Sequence, residues 1–252
     1  MKKSVWNAAF TLVEMAIVLA IVGLVVGGVL SGKNLIQAGK LRSIITDGQN
    51  YINAVANFRA QYRYLPGDDR NATSYWDVTA VVNGNGDGQI SGANDEQFQA
   101  WLHLALAGLV TSTYSGTAGG GGAADSTPGT NVPASRISNT GYSMFYNNVS
   151  GSTTIFTMNY GNMIAFGAKV TNGQMINATL MPDDAANIDK KVDDGFPGTG
   201  KWIANGTGGS AFASPTYSTG ACTQATSATD YAKEYNYTGT SLACSFFIKT
   251  GF

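Results

Sequence analysis

The chain has 252 residues and a formal net charge of −1, with 15 Lys and Arg against 16 Asp and Glu. Charged residues make up 12% and glycine occurs 32 times, so a polar, loop-rich chain is expected. A nucleic-acid partner is not expected, because Lys and Arg form no basic patch. The single histidine, His103, supports neither a Ser-His-Asp triad nor a multi-histidine metal site, and no enzyme activity is expected.

The start of the chain predicts a membrane-spanning helix. Residues 1–9 form a short basic leader that contains Lys2 and Lys3, and residues 10–30 are apolar apart from Glu14. As a helix rising about 1.5 Å per residue, the apolar run crosses most of a ~30 Å hydrocarbon core. The two lysines predict that the N-terminus stays cytoplasmic.

A cleaved signal peptide or a plain signal anchor is the alternative interpretation of this segment. The region after the apolar run offers small residues, among them Gly27 and Gly28, but no convincing Ala-x-Ala cleavage site. Neither alternative explains Glu14, since a lone carboxylate at the membrane boundary costs about 2–3 kcal/mol unless it is paired or neutralised.

Phe10-Thr-Leu-Val-Glu14, placed after a short basic leader, resembles the amino-terminal segment of type IV prepilins and type II secretion pseudopilins. The resemblance implies cleavage between Ala9 and Phe10 by prepilin peptidase and N-methylation of Phe10. It also implies that Glu14 pairs with the free amino terminus of a neighbouring subunit during assembly. Ala9 departs from the family, which most often has glycine before the cut.

The resemblance further implies partners and a location. The partners are a homo- or hetero-polymer of pilin-like subunits, prepilin peptidase and an inner-membrane assembly platform. The chain would be a single-pass inner-membrane protein before assembly, and part of a periplasmic pseudopilus or an extracellular pilus afterwards. Loss of Lys2 and Lys3 with the leader changes the side-chain charge from −1 to −3.

A long helix is expected to continue beyond the membrane segment. Apolar residues recur at helical spacing until Tyr62, and no proline occurs before Pro66. The sequence thus predicts a leader at 1–9, a long helix at 10–64 and a globular head at 65–252. The helix would end at the Leu65-Pro66-Gly67-Asp68 turn, and Gly39 and Gly48 make a kink possible within it.

The predicted fold class is α+β, with the long helix packed on an antiparallel sheet, as in pilins. Strands are expected at 143–147, 153–159, 163–170 and 242–249, with a short edge at 201–203. A second helix is expected over 94–110, where His103 should be on the surface or partly packed.

The two cysteines, Cys222 and Cys244, predict a disulfide in an exported chain. By loop closure alone such a bond stabilises the head by roughly 3 kcal/mol. Two free buried thiols are the alternative.

The segment Asn83-Gly-Asn85-Gly-Asp87-Gly-Gln89-Ile-Ser resembles the start of an EF-hand calcium loop. Oxygen ligands at alternate positions and a glycine at the sharp turn match that pattern. The closing glutamate position falls on Asn94, so Glu96 is the candidate closing ligand. A metal-free Asn/Gly/Asp turn explains the same residues, and no cofactor other than calcium is indicated.

A second acidic segment surrounds a predicted short helix at 185–192. Asp183 and Asp184 precede it, where a helix start favours negative charge, and Gly195 follows it. Capping is the preferred interpretation, with convergence of the carboxylates on a cation as the alternative. The cation set would be Asp189, Asp193 and Asp194.

Two functions follow from these features. The first is a structural subunit of a type IV pilus or type II secretion pseudopilus. The second is a membrane-anchored or filament-tip binding protein that recognises a surface, a glycan or a secreted substrate. Tyrosines in and just before the disulfide loop would suit the second function if they are exposed, although ordinary packing or subunit contact explains them equally: Tyr217, Tyr231, Tyr235 and Tyr237.

Overall fold

The computed structural model describes residues 11–92, 95–150, 156–206, 222–225 and 229–252. By its contacts the chain separates into two units, residues 1–41 and residues 42–252. The described part of the first unit is helical from Leu12 onward. The second unit carries the sheet, the other helices and the buried core.

The first helix, α1, runs from Leu12 to Tyr62 as one element of 51 residues. Neither Gly39 nor Gly48 interrupts it. It ends earlier than the sequence predicts, because Arg63 takes a left-handed conformation with φ of 67°. The backbone N–H of Arg63 donates to the Arg59 carbonyl at 2.9 Å, which closes the last turn.

An antiparallel sheet of five strands forms the centre of the second unit, and the predicted α+β class is confirmed. Its path is β1-β2-β5-β4, and β3 pairs with β2 beside that path. The strands are β1 (Thr140–Asn148), β2 (Asn159–Lys169), β3 (Met175–Asn177), β4 (Trp202–Asn205) and β5 (Ser245–Lys249).

Alternation along the strands gives the sheet two apolar faces. One face includes Tyr142, Phe166, Trp202 and Ile248, and it packs against α1 between Gly48 and Tyr51. The other face forms a separate core cluster, whose largest members are Phe145, Phe156, Tyr160, Ile203 and Phe247. One face of the sheet therefore packs against α1, and the other packs against residues outside the strands, among them Phe156 and Ala225.

Three further helices lie among the described residues of this unit. They are α2 (Ala72–Tyr75), α3 (Glu96–Leu106) and α4 (Pro182–Val192). In α3, every residue from Glu96 to Leu104 is buried, and Trp101 meets Tyr51 of α1 edge to face at 5.0 Å. Both predicted helices are present, and α3 is shorter than predicted.

The strand predictions need two corrections. The described part of the predicted strand 153–159 is irregular until Asn159, where β2 begins. The short strand β3 was not predicted, because three residues between turns carry too little alternation to show a period. The predicted edge at 201–203 corresponds to β4, which is the last strand of the path.

Candidate functional site

The first half of α1 exposes its aliphatic side chains. Leu12 is 90% exposed and Leu24 is 80% exposed, and large apolar residues remain exposed as far as Ile36. Among the described residues, α1 is the one helix long and apolar enough to cross a membrane. A signal sequence near the N-terminus has the same properties. The helix is therefore compatible with a single-pass membrane anchor.

Glu14 forms a capping box with Thr11 at the start of α1. The backbone N–H and the hydroxyl of Thr11 both donate to Glu14 Oε2 at 2.8 Å. The Glu14 backbone N–H donates to Thr11 Oγ1 at 3.2 Å. This reciprocal pairing satisfies donors that a helix start otherwise leaves free. Sequence reasoning assigned Glu14 to assembly alone, although the Thr-x-x-Glu spacing carries the capping signal.

The predicted cleavage residues Ala9 and Phe10 lie outside the described residues, as does the methylation site at Phe10. Cleavage, methylation and the assembly role of Glu14 stay predictions.

The segment 83–91 folds as a series of side-chain-stabilised turns. Asn85 Oδ1 accepts the Asp87 N–H and Asp87 Oδ1 accepts the Gln89 N–H, both at 2.8 Å. Asn85 Nδ2 donates to Asp87 Oδ2 at 3.0 Å. Asn83 turns away from this set, since its Oδ1 accepts the Thr73 N–H at 2.9 Å. Such bonds are typical of Asn and Asp in turns.

Two buried carboxylates accept hydrogen bonds from the backbone of this loop. Glu96 is fully buried, and its Oε1 and Oε2 accept the N–H groups of Asn85 and Ser91, each at 2.9 Å. Asp68 is also buried, and its Oδ1 and Oδ2 accept the N–H groups of Asp87 at 3.1 Å and Gly88 at 2.9 Å. Each carboxylate oxygen thus receives a backbone N–H.

These bonds bear on the calcium prediction. The structure brings Asn85, Asp87 and Glu96 to the same loop and adds Asp68, which sequence reasoning missed because it lies 19 residues before Asp87. Burial raises the pKa of Asp68, and the Gly88 N–H bond opposes that rise. Backbone donors account for the buried carboxylates without a cation, and calcium at this loop stays a prediction. Asn94 lies outside the described residues.

The acidic segment after α4 does bring three carboxylates together. Each of Asp189, Asp193 and Asp194 offers a ligand atom within 4.8 Å of the others. Asp193 Oδ2 accepts the Trp202 N–H at 2.7 Å, and Asp194 Oδ2 accepts the Thr199 hydroxyl at 2.5 Å. The predicted helix is present here, with Asp183 and Asp184 in its first turn. Asp193 therefore ties the end of α4 to the first residue of β4, and Asp194 ties it to the segment before β4.

Asp189 is fully buried within this group. Its Oδ2 accepts the hydroxyl of the buried Tyr235 at 2.7 Å, and its Oδ1 accepts the Gly195 N–H at 3.3 Å. Burial raises the pKa of Asp189 to about 7, and the Asp194 and Asp193 charges add to the rise. Near neutral pH this carboxyl is divided between its two protonation states.

Cys222 and Cys244 form the predicted disulfide, with their Cα atoms 4.9 Å apart. Both are fully buried. Tyr235, inside the disulfide loop, is buried as well, which fits the packing interpretation and rules it out as an exposed binding residue. Tyr237 is 42% exposed, and Tyr217 lies outside the described residues.

His103 is fully buried, which corrects the prediction of a surface or partly packed side chain. Its Nδ1 accepts the Gly67 N–H at 3.0 Å, and its ring stacks on Phe58 with centroids 6.2 Å apart. Burial lowers the pKa of His103 to about 4, so the imidazole is neutral at physiological pH. It holds the turn after α1 against α3.

Comparison of the chain with protein-family models finds no match, and comparisons with curated proteins and with solved structures find none either.

Proposed function

We propose that this chain is a structural subunit of a type IV pilus or type II secretion pseudopilus. In this proposal prepilin peptidase cleaves before Phe10, and the mature chain assembles through the apolar half of α1. The observation that carries the proposal is the long helix, whose aliphatic side chains are exposed from Leu12 to Ile36 in a protein with a buried core elsewhere.

The size of the exposed apolar surface supports a lipid or protein environment for this helix. Fully burying one Val, Leu or Ile side chain is worth about 1.5–3 kcal/mol. Contiguous patches of this extent mark membrane or protein contacts rather than free surface. A bilayer before assembly and neighbouring helices afterwards would both cover the patch.

Glu14 suits a role at such an interface. Its Oε2 takes both Thr11 donors, and no donor among the described residues reaches Oε1. A neighbouring subunit's amine at Phe10 would find an oxygen that the capping box leaves free. Pairing of this kind offsets the cost of about 2–3 kcal/mol for a carboxylate at the membrane boundary.

The proposal places the N-terminus in the cytoplasm, on the side of Lys2 and Lys3. The head, with its disulfide, would lie in the oxidising periplasm or outside the cell. The remaining partners would be the other pilin-like subunits and an inner-membrane assembly platform.

The test is to express the full chain with and without prepilin peptidase and to determine its N-terminus by mass spectrometry. We expect a mature chain that starts at methylated Phe10 only when the peptidase is present. Glu14→Ala should still be cleaved but fail to enter filaments, whereas Glu234→Ala, which removes an exposed carboxylate of the head, should assemble normally. An intact Met1 start, or cleavage near Ser31, would refute the proposal.

The second candidate is a membrane-anchored or filament-tip binding protein. A polar groove on the second unit favours it.

A further inference from the structure

The groove lies between the second half of α1 and the chain that follows α3. It has a volume of about 310 Å³, within the range of small-molecule sites. One wall is formed by α1 residues 47–57, and the other by residues 109–112 with Tyr114. The whole groove belongs to the second unit.

The α1 wall is a stripe of amides. Asn50, Asn53 and Asn57 line the groove together with Asp47, and their spacing of three or four residues places them on one helix face. The stripe spans about 15 Å at 1.5 Å per residue. The three amides are exposed, and none hydrogen-bonds to a described residue. Each offers both a donor and an acceptor.

Two tyrosines that also line the groove are held in place by packing. Tyr51 meets Trp101 and Tyr142 edge to face, each at 5.0 Å, and the rings of Trp101 and Tyr114 lie 6.2 Å apart. Burial raises the pKa of Tyr51 and Tyr114, so both keep neutral hydroxyls. Tyr114 is buried and Tyr51 is half-buried, so the exposed part of Tyr51 is the main aromatic surface, and its fixed ring needs little ordering on binding.

The charge of the groove selects among ligands. No Lys, Arg or His is among the described residues that line it, and Asp47 is its one carboxylate. The Tyr142 hydroxyl reaches Asp47 Oδ2 at 3.4 Å. The exposed Arg136 interacts electrostatically with Asp47 but does not line the groove, so an anion inside the groove would meet the carboxylate without a cation in the lining. The lining therefore disfavours anionic ligands and suits neutral, hydroxyl-rich ones.

We propose that this groove binds a neutral saccharide. A sugar hydroxyl is both donor and acceptor, as the amides of Asn50, Asn53 and Asn57 are, and a pyranose C–H face fits against an aromatic ring. The groove faces solvent on the single chain, so binding does not require cleavage or polymerisation. The inference thus stands apart from the filament proposal, and either one can fail alone.

The test uses the full chain in a detergent without a sugar head group, because a maltoside detergent would compete for the site. The probes are maltose, lactose, N,N′-diacetylchitobiose and galactose, with galacturonic acid as the anionic counterpart of galactose. Isothermal titration calorimetry and saturation-transfer NMR should detect at least one neutral sugar, with a dissociation constant of about 0.1–10 mM. Galacturonic acid should bind more weakly than galactose.

The double variant Asn53→Ala/Asn57→Ala should weaken sugar binding by about tenfold or more. Gln49→Ala is the matched control, since it removes an exposed amide from the same helix but not from the groove. The thermal unfolding of both variants should match the parent, because the removed groups are exposed and make no bond to the described chain.

Three results would overturn the proposal. The first is that no neutral sugar binds at concentrations of about 10 mM. The second is that the double variant binds sugar as well as Gln49→Ala does. The third is that the double variant changes self-association in sedimentation without changing sugar binding, which would assign the groove to a second copy of this chain.

Discussion

Of the glycines in α1, Gly48 lies closest to the sheet. A Cβ atom at this position would lie 2.8 Å from Trp202 Cη2, 3.0 Å from Trp202 Cζ2 and 3.2 Å from Ile248 Cδ1. Favourable carbon–carbon contacts lie at about 3.5–4.0 Å. Trp202 is buried, and it packs edge to face on Phe246 at 5.4 Å. The indole therefore has little room to retreat.

Two opposing terms set the effect of Gly48→Ala. Alanine gains about 1 kcal/mol of helix propensity over glycine, while overpacking of a well-filled core costs about 1–3 kcal/mol. Because the contact is with a rigid ring, we expect the strain to exceed the propensity gain and Gly48→Ala to destabilise the protein by up to about 2 kcal/mol. Gly39→Ala is the matched control. A Cβ there meets no atom within 4 Å, so this variant should gain up to about 1 kcal/mol.

The assay is urea unfolding of the full chain in micelles, followed by tryptophan fluorescence. Trp202→Phe removes the outer atoms of the indole, so Gly48→Ala should cost less in that background, with a coupling energy of about 1 kcal/mol or more. If Gly48→Ala and Gly39→Ala prove equally stable, or if the coupling is zero, the close approach of α1 to β4 is wrong.

Three further predictions concern polar side chains, namely the buried Asp189 and His103 and the exposed capping residue Thr11. The pKa of Asp189 is raised by folding to about 7, so its contribution to stability should be lost as pH rises from about 4 to 7, by about 4 kcal/mol. Asp189→Asn should remove that slope in unfolding measured across pH, and an unchanged slope would exclude Asp189 as its source. The pKa of His103 is lowered by folding to about 4, so stability should fall as pH drops from about 6.5 to 4, by about 3 kcal/mol. His103→Gln should abolish this acid sensitivity. The two slopes oppose each other between about pH 4 and 6.5, so Asp189→Asn should reveal the pH dependence due to His103, and His103→Gln should reveal the pH dependence due to Asp189. Finally, Thr11→Val removes the capping hydroxyl and should cost helix α1 about 1 kcal/mol. The effect should be seen in hydrogen exchange as loss of amide protection at Glu14, whose N–H donates to that hydroxyl, whereas protection equal to that of the parent would argue against the capping box.

Much of the architecture follows from local patterns. The helical spacing of Ile44, Val55 and Phe58 predicts the amphipathic half of α1, and all three residues are fully buried. Alternating apolar residues predict most of the sheet, since period-two alternation is a property of a strand alone. The disulfide was predictable because the chain has just two cysteines. Such features depend on residues near one another in the sequence or on their number.

The remaining features depend on which distant segments meet. His103 looks like a polar residue on a helix, yet it is buried because the Gly67 N–H supplies a partner 36 residues away. The sequence gives no signal for the role of Asp68. The N–H groups of Asp87 and Gly88 that donate to it are 19 and 20 residues away, and they come within reach because the loop packs on Glu96. Gly48 suggests a kink by propensity, but the nearness of Trp202 makes it a packing position. The amide stripe of α1 becomes one wall of a groove because the chain after α3 lies opposite it. Local propensity predicts none of these contacts, because burial and hydrogen bonding between distant residues depend on how the elements pack.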